Sequence, residues 1–258
     1  MLSACSTNPV TGRSQLMLVP ESTAINASRQ AYVEMLTPLQ RQGKVNANPA
    51  QTNRVRLITE RIVAQAIRFR PETADWDWQM AVIDSDEANA FAMAGGRMGI
   101  YRGIIDRLEL TDDELAQIIG HEIGHAISGH TAEKMSVAMA SQLGVAAFAL
   151  SGERSQVALS ATIMAATLAV QLPHSRQMER EADRIGIELA ARAGYNPDAA
   201  PVLWQKMATL GGGTPTFLST HPAPADRQRD LAGLANQFRP IYLAASQNAR
   251  QLPRHPIR

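Results

Sequence analysis

Apolar residues recur with a helical period along most of the chain. Residues 21–40 place Ala31, Met35 and Leu39 on one side, and Asn53–Phe69 repeats Val55, Ile58, Ile62, Ala66 and Phe69 at steps of three and four until Pro71 stops the run. The pattern then changes. Asp75–Asp84 alternates and is rich in β formers, Ala88–Met93 and Arg97–Tyr101 are short extended runs, and Gly95-Gly96 between them is a turn. These segments predict one small sheet, the only β structure expected. Beyond it the helical period returns over 111–127, 132–150, 155–172, 176–193, 197–210 and 222–238, and 240–258 is a weakly patterned tail.

The expected class is therefore α+β, predominantly helical. With no internal repeat and no clean linker, the organisation reads as an N-terminal tether over 1–20, a single domain over 21–240 and a tail over 241–258. The chain has 258 residues, 45% hydrophobic and 19% charged, which suits a globular domain with a real core. Lys+Arg 25 against Asp+Glu 24 leaves no basic excess of the kind nucleic-acid binding requires.

The helix over 111–127 carries the chemistry. Thr111-Asp112-Asp113-Glu114 is a capping box with its acids at the positive end of the helix. Inside it lies His121-Glu122-Ile123-Gly124-His125, the HExxH pattern. Residues four apart differ by about 40° around a helix, so both imidazoles leave one face and can share a metal. Zinc accepts imidazole nitrogen, and a catalytic zinc takes three protein ligands with one open position. Glu122, about 60° from His125, is aimed beside the ligands, as a general base must be. The third ligand is sought in Ser175–Asp183: Glu179 and Asp183 share a face, Glu179 as ligand and Asp183 as acceptor for the outer N–H of a ligand histidine, while Glu181 points elsewhere. Gly120 and Gly124 lower helix propensity where the histidines sit, which implies close packing. His130 falls about 160° from the midpoint of His121 and His125 if the helix continues, and reads as structural or surface. His221, at the turn Ser219-Thr220-His221-Pro222, is placed to face a cleft.

The lone cysteine, Cys5, excludes an internal disulfide and a cysteine-rich metal site. Leu2-Ser3-Ala4-Cys5 resembles the lipobox of bacterial lipoproteins, so Cys5 is a candidate for lipidation, with Ser6–Ser14 as tether. The charged and apolar parts of a signal peptide do not stand upstream of it here, and lipidation would need them. No stretch reaches the roughly 20 continuous apolar residues of a membrane span. Val157–Leu172 comes nearest, interrupted by Ser160, Thr162, Thr167 and Gln171.

The chain resembles the HtpX-like zinc peptidases, relatives of the CAAX prenyl proteases, in the small group called minigluzincins. The likeness is carried in order by Asn8-Pro9-Val10-Thr11-Gly12-Arg13, Asn89-Ala90-Phe91-Ala92 with Gly95-Gly96, the HExxH pentad, Glu179-Arg180-Glu181-Ala182-Asp183, and Ser219-Thr220-His221-Pro222 with Arg227. Among members it is most similar to bacterial periplasmic lipoproteins, without the C-terminal tetratricopeptide repeats some carry. The resemblance implies a gluzincin-type fold, one zinc ion per chain and an endopeptidase. It implies that Asn89, Ala90 and Phe91 form an edge strand binding extended substrate. It places His221 at the active site, as a reversible extra ligand or as a stabiliser of the tetrahedral intermediate, with Arg227 organising the region. Unfolded or misassembled envelope proteins are the implied substrates, the outer-membrane assembly machinery a partner, and a lipid anchor rather than a span the attachment to a periplasmic face. Ala94 stands where the family often has proline, and Gly99 where it has a branched residue, either of which would loosen the substrate strand. Two rivals remain: a zinc-bearing, chaperone-like or autoinhibited protein, and a membrane-embedded protease.

Overall fold

A computed structural model of the chain describes residues 5–150, 176–209, 216–221, 226–248 and 251–258. The chain opens with two short antiparallel strands, β1 (Cys5–Thr7) and β2 (Ser14–Leu16). Helices α1 (Glu21–Arg41) and α2 (Pro49–Phe69) follow, then a 3-10 turn at Pro71–Asp75. The sheet comprises β3 (Gln79–Ile83), β4 (Ala90–Met93) and β5 (Arg97–Tyr101) in the order β3-β5-β4. Strand β5 runs parallel to β3 and antiparallel to β4. The helical remainder is α3 (Arg102–Arg107), α4 (Asp112–Ile127), α5 (His130–Leu150), α6 (176–192), α7 (Ala199–Ala208), α8 (Thr216–Thr220) and α9 (Arg227–Ser246). The predicted helix over 155–172 lies outside the described residues. No helix among the described residues is long and apolar enough to cross a membrane.

The predicted α+β class holds, with three departures. The sheet of β3 to β5 is not the only β structure: residues 5–16, expected as a loose tether, form the β1–β2 pair and bury Asn8 and Gln15 against the core. The first strand of the sheet is shorter than the alternation suggested, because Trp76 and Trp78 pack on each other before it starts. The last helix passes through Pro240 to Ser246, and the tail end returns to the sheet, where Met80 N donates to Arg258 O and Arg258 N to Trp78 O, both at 3.0 Å. That strip covers one edge of the sheet and leaves β4 as the other.

One face of the sheet packs on α2 and α4 in the main core, around Ile58, Ile62, Met98, Ile100, Leu115, Ile118 and Ile119. The other face meets α1, where Tyr32 and Leu36 cover Ala81 and Ile83. Helix α4 is buried on every side from Glu114 to Ile127, and its polar side chains there are Glu114, Gln117 and the site residues. Its capping box forms in both directions: Glu114 N donates to Thr111 Oγ1 at 3.2 Å and Thr111 N to Glu114 Oε2 at 2.9 Å.

The predicted close packing at Gly120 and Gly124 is present, and α6 is the partner. A Cβ at Gly120 would lie 2.6 Å from Gly186 O, one at Gly186 would lie 2.5 Å from His121 N, and one at Gly124 would lie 2.9 Å from Ala182 O. The backbones of α4 and α6 touch, and any side chain at these places would force them apart. Gly99 has a similar reason: a Cβ there would meet the Phe91 ring at 2.5 Å. Glycine thus lets Phe91 lie across β5 between Tyr32 and Tyr101, which fixes the strand rather than loosening it.

Burial acts to raise the Glu114 carboxyl, but Lys206, at 2.7 Å, and Thr111 outweigh it and hold it below its ordinary value of 4.5. A group held low in the fold protects the folded state above its unfolded pKa and loses that contribution as pH falls through the folded value. Glu114→Gln keeps an acceptor for the cap but removes the charge. In urea titrations its stability deficit, about 1 kcal/mol or less at pH 7, is expected to shrink as the pH drops below 4.5; a deficit that stays constant down to pH ~3 would show that the charge of Glu114 contributes nothing.

Candidate metal centre

The touching backbones of α4 and α6 set the distances at the centre. His121 and His125 leave α4 toward α6, and Glu179 and Asp183 leave α6 toward α4. His125 Nε2 lies 3.1 Å from His121 Nε2 and 3.1 Å from Glu179 Oε1. His121 Nε2 lies 3.3 Å from Glu179 Oε2. His221, just past α8, closes the group: its Nδ1 is 3.2 Å from His121 Nε2 and 3.1 Å from Glu179 Oε1. All four residues are buried.

These residues fit zinc. Donors placed 2.0–2.1 Å from a zinc ion, the zinc–nitrogen distance, lie about 3.3 Å apart in a tetrahedron; five of the six separations here are 3.1–3.3 Å, with Glu179 turning Oε1 to His125 and His221 and Oε2 to His121, and all four donors lie within 4.8 Å of one another. Two imidazoles turn their Nε2 atoms toward one point while their Nδ1 atoms are engaged elsewhere, so lone pairs converge there. Glu179 Oε2 and Glu122 Oε1 are buried without a hydrogen bond, a costly arrangement that a cation at this point and a polar substrate beside it would relieve. The electrostatics agree. Burial would raise the Glu179 carboxyl, yet His125 and His121 hold it far below the usual carboxylate range. Burial pulls the His121 imidazole down, but Glu179 and Asp183 outweigh it and hold it at about 9. Burial pushes His125 well below its ordinary value.

Asp183 and Arg227 stand behind the cluster. Asp183 Oδ1 accepts from His121 Nδ1 at 3.0 Å and from Arg227 Nη2 at 2.7 Å. The Arg227 guanidinium is buried, lies 3.7 Å over the Trp204 ring, and places Nη1 3.2 Å from Glu179 Oε2. Glu122 sits beside the cluster, with Oε1 3.3 Å from His221 Nε2. His221 is stacked on Phe217, with ring centroids 4.6 Å apart, and Phe217 N donates to Ala88 O just before β4.

The sequence brought forward His121, Glu122, His125, Glu179, Asp183, His221 and Arg227, and the fold gathers all of them in one place. Asn89, Ala90 and Phe91 stand at the outer edge of the sheet on the strand that packs on α4. Asn89 O accepts from Tyr101 N, so Ala90 and Ala92 turn their backbone groups outward. Asn89 Oδ1 accepts from Ala90 N at 2.9 Å, and the Phe91 ring belongs to the packing with Tyr32 and Tyr101 rather than to the cleft. Cys5 lies in β1, away from the cluster.

His130 requires a correction. It does belong to the centre, because α4 does not continue through it: the helix ends at Ile127, Gly129 turns the chain at φ 69°, and α5 restarts at His130. His130 is buried, with Nδ1 2.8 Å from His125 Nδ1 and Nε2 3.0 Å from Glu181 Oε2. Trp204 and Phe217 were also missed; nothing local marks either as a site residue. His174 lies outside the described residues, and His255 belongs to the tail.

A helix carrying HExxH, met by a glutamate from a second helix, defines a gluzincin-type zinc metallopeptidase centre. Comparison with known families matches residues 49–235 to Peptidase family M48, and the chain belongs to that family, whose members use zinc. It is similar to the mitochondrial metalloendopeptidase OMA1 of Arabidopsis thaliana (36% identical; 60% of this chain, 31% of the relative). It is similar also to the beta-barrel assembly-enhancing protease of Escherichia coli strain K12 (31% identical; 65% and 36%) and to the metalloendopeptidase OMA1, mitochondrial, of Bos taurus (30% identical; 89% and 46%). Each match spans less than half of the relative's own length.

Truncating Asp183 to alanine leaves the His121 ring without its acceptor. Zinc affinity is expected to fall about 10–100-fold in chelator competition; an unchanged affinity would show that Asp183 does not orient the ring.

Proposed function

We propose that the chain is a zinc-dependent endopeptidase in which His121, His125 and Glu179 hold the metal and Glu122 is the general base. The observation that carries this reading is the buried, unbonded Glu122 oxygen beside a buried cluster of three imidazoles and a carboxylate that can share one metal ion. A purely structural zinc site has no use for such a carboxylate. Zinc, when bound, supplies a Lewis acid that acidifies a water and polarises the scissile carbonyl. Glu122 takes the proton of the attacking water and later delivers it to the leaving amine. The edge of β4, which no described strand covers, binds the substrate as an added strand, through the Ala90 carbonyl and the outward backbone groups of Ala92. Such an edge reads extended backbone, so unfolded or misassembled polypeptides are the substrate class.

The setting we propose is quality control in a bacterial envelope, with attachment through a lipid on Cys5 and with the outer-membrane assembly machinery as partner. The lipobox-like Leu2-Ser3-Ala4-Cys5 supports it, as does the likeness to a protease named for enhancing β-barrel assembly. Other relatives are named as mitochondrial, so the envelope setting rests on the lipobox-like segment and the β-barrel-assembly relative.

His221 favours a second reading of the same site, a resting state. Its Nδ1 stands at the fourth corner of the donor set, where an attacking water needs room. In this reading His221 withdraws when substrate enters along β4, through its link to Phe217 and Ala88.

Casein cleavage by the parent and by Glu122→Gln, with zinc content measured for both, tests the main reading. The variant is expected to keep zinc and lose at least about 100-fold in turnover. A parent that holds zinc and cuts nothing would favour the chaperone-like rival. His221→Ala separates the two roles of that residue. Release of a resting state raises turnover, whereas loss of an oxyanion partner lowers it about 100- to 1,000-fold.

A further inference from the structure

We propose that the N-terminal segment 8–15 is a built-in part of the metal centre, with Arg13 a positioning residue that acts through Glu181 and His130 to fix the hydrogen on His125. The proposal rests on the assignment of His125 as a zinc ligand through Nε2. A ligand nitrogen must be bare, so the hydrogen of a neutral His125 ring has to sit on Nδ1 and needs an acceptor there. The group in that place is another imidazole, His130, whose Nδ1 is 2.8 Å away.

The hydrogens along this path can be assigned one by one. Glu181 Oε2 lies 3.0 Å from His130 Nε2, and an ionised carboxylate only accepts, so Nε2 carries the hydrogen of a neutral His130 ring. His130 Nδ1 is then bare and accepts from His125 Nδ1, which leaves His125 Nε2 free to face Glu179 and His121. The opposite tautomer of His130 would place a hydrogen between the two Nδ1 atoms and drive the His125 hydrogen onto Nε2, where it would block the metal.

Glu181 can play this part only if its carboxylate is held, and the N-terminal segment holds it. Arg13 Nε donates to Glu181 Oε1 at 2.7 Å, and Thr11 Oγ1 donates to the same oxygen at 3.1 Å. The other two guanidinium nitrogens grip Glu133 at 2.8 and 2.6 Å, so Arg13 cannot swing away. The segment is fixed in turn. Asn8 Oδ1 accepts from Val10 N and Thr11 N, Gly12 turns at φ 74°, and Asn8 Nδ2 and Gln15 Nε2 both donate to Ser128 O, the last residue before the turn into His130. Asn8, Gln15, Glu133 and His130 are all buried. His121 is oriented by a carboxylate from its partner helix directly; His125 is oriented through an imidazole by a carboxylate that the N-terminal segment secures.

The test reads ring hydrogens and metal affinity rather than turnover. In long-range 1H–15N spectra of the zinc-loaded full chain, His125 is expected to carry its hydrogen on Nδ1 and His130 on Nε2. Arg13→Met and Glu181→Ala are expected to weaken zinc about 10–100-fold in chelator competition. Arg13→Lys should recover part of that loss. Arg97→Met, which instead breaks the buried pair of Arg97 with Asp77, should leave zinc affinity unchanged whatever it does to the melting temperature. A hydrogen on His130 Nδ1 would overturn the proposal, as would zinc affinity that follows melting temperature alike in all four variants. A zinc-loaded parent in which His125 Nε2 shows no metal contact would instead remove the ligand assignment beneath it.

Discussion

Two helices meet here backbone to backbone, without an intervening layer of side chains. Gly120, Gly124 and Gly186, with Ala182, allow α4 and α6 to approach until a single methyl group would separate them. At ordinary interhelical distances of 8–10 Å, Glu179 and Asp183 would reach His121 and His125 only at full stretch and with freedom to wander. At contact, short and stiff geometries suffice, and the carboxylates arrive already oriented. The glycines weaken α4 as a helix, by about 1 kcal/mol each relative to alanine. That loss is offset by the cap at Thr111 and by the complete burial of the helix in the main core.

Burial then sets the electrostatic terms. Charged groups taken from water need partners in close register, and here each has one or is aimed at a shared point. The centre resolves into two branches that start from the two histidines of α4. One runs through Asp183 to Arg227 and the face of Trp204. The other runs through His130 and Glu181 to Arg13 and Glu133. Each branch holds one arginine: Arg227 offsets Asp183, and Arg13 is shared by Glu181 and Glu133, so that branch keeps one net negative charge.

Much of this was legible in the sequence because it is local. The capping box, the four-residue spacing of His121 and His125, the matching spacing of Glu179 and Asp183, and the glycine just before each of the two histidines are all properties of single helical turns. His130 was misplaced because its angle was computed along a helix that ends before it; the left-handed Gly129 resets the direction, and glycine there was the available signal. Strands β1 and β2 escaped because runs of three residues show no alternation, and what fixes β2 is Gln15, whose Nε2 donates to the Ser128 carbonyl and the Glu133 carboxylate far along the chain. Arg13 lay in a stretch whose likeness to a family was visible while its task was not. Its partners are 120 and 168 residues away, a relation that only the folded chain displays. The run of α9 through Pro240 defeats a rule that holds for helix interiors on average, not for each proline.

The scattering of this centre along the chain bears on how the protein is born. Its parts come from residues near 8–15, 121–133, 179–183, 221 and 227 of a chain of 258. Synthesis proceeds from the N-terminus, and unfinished segments stay unfolded meanwhile. The two arginines that steady the branches, Arg13 and Arg227, stand 214 positions apart, so a chain that stops short of residue 227 lacks the second of them.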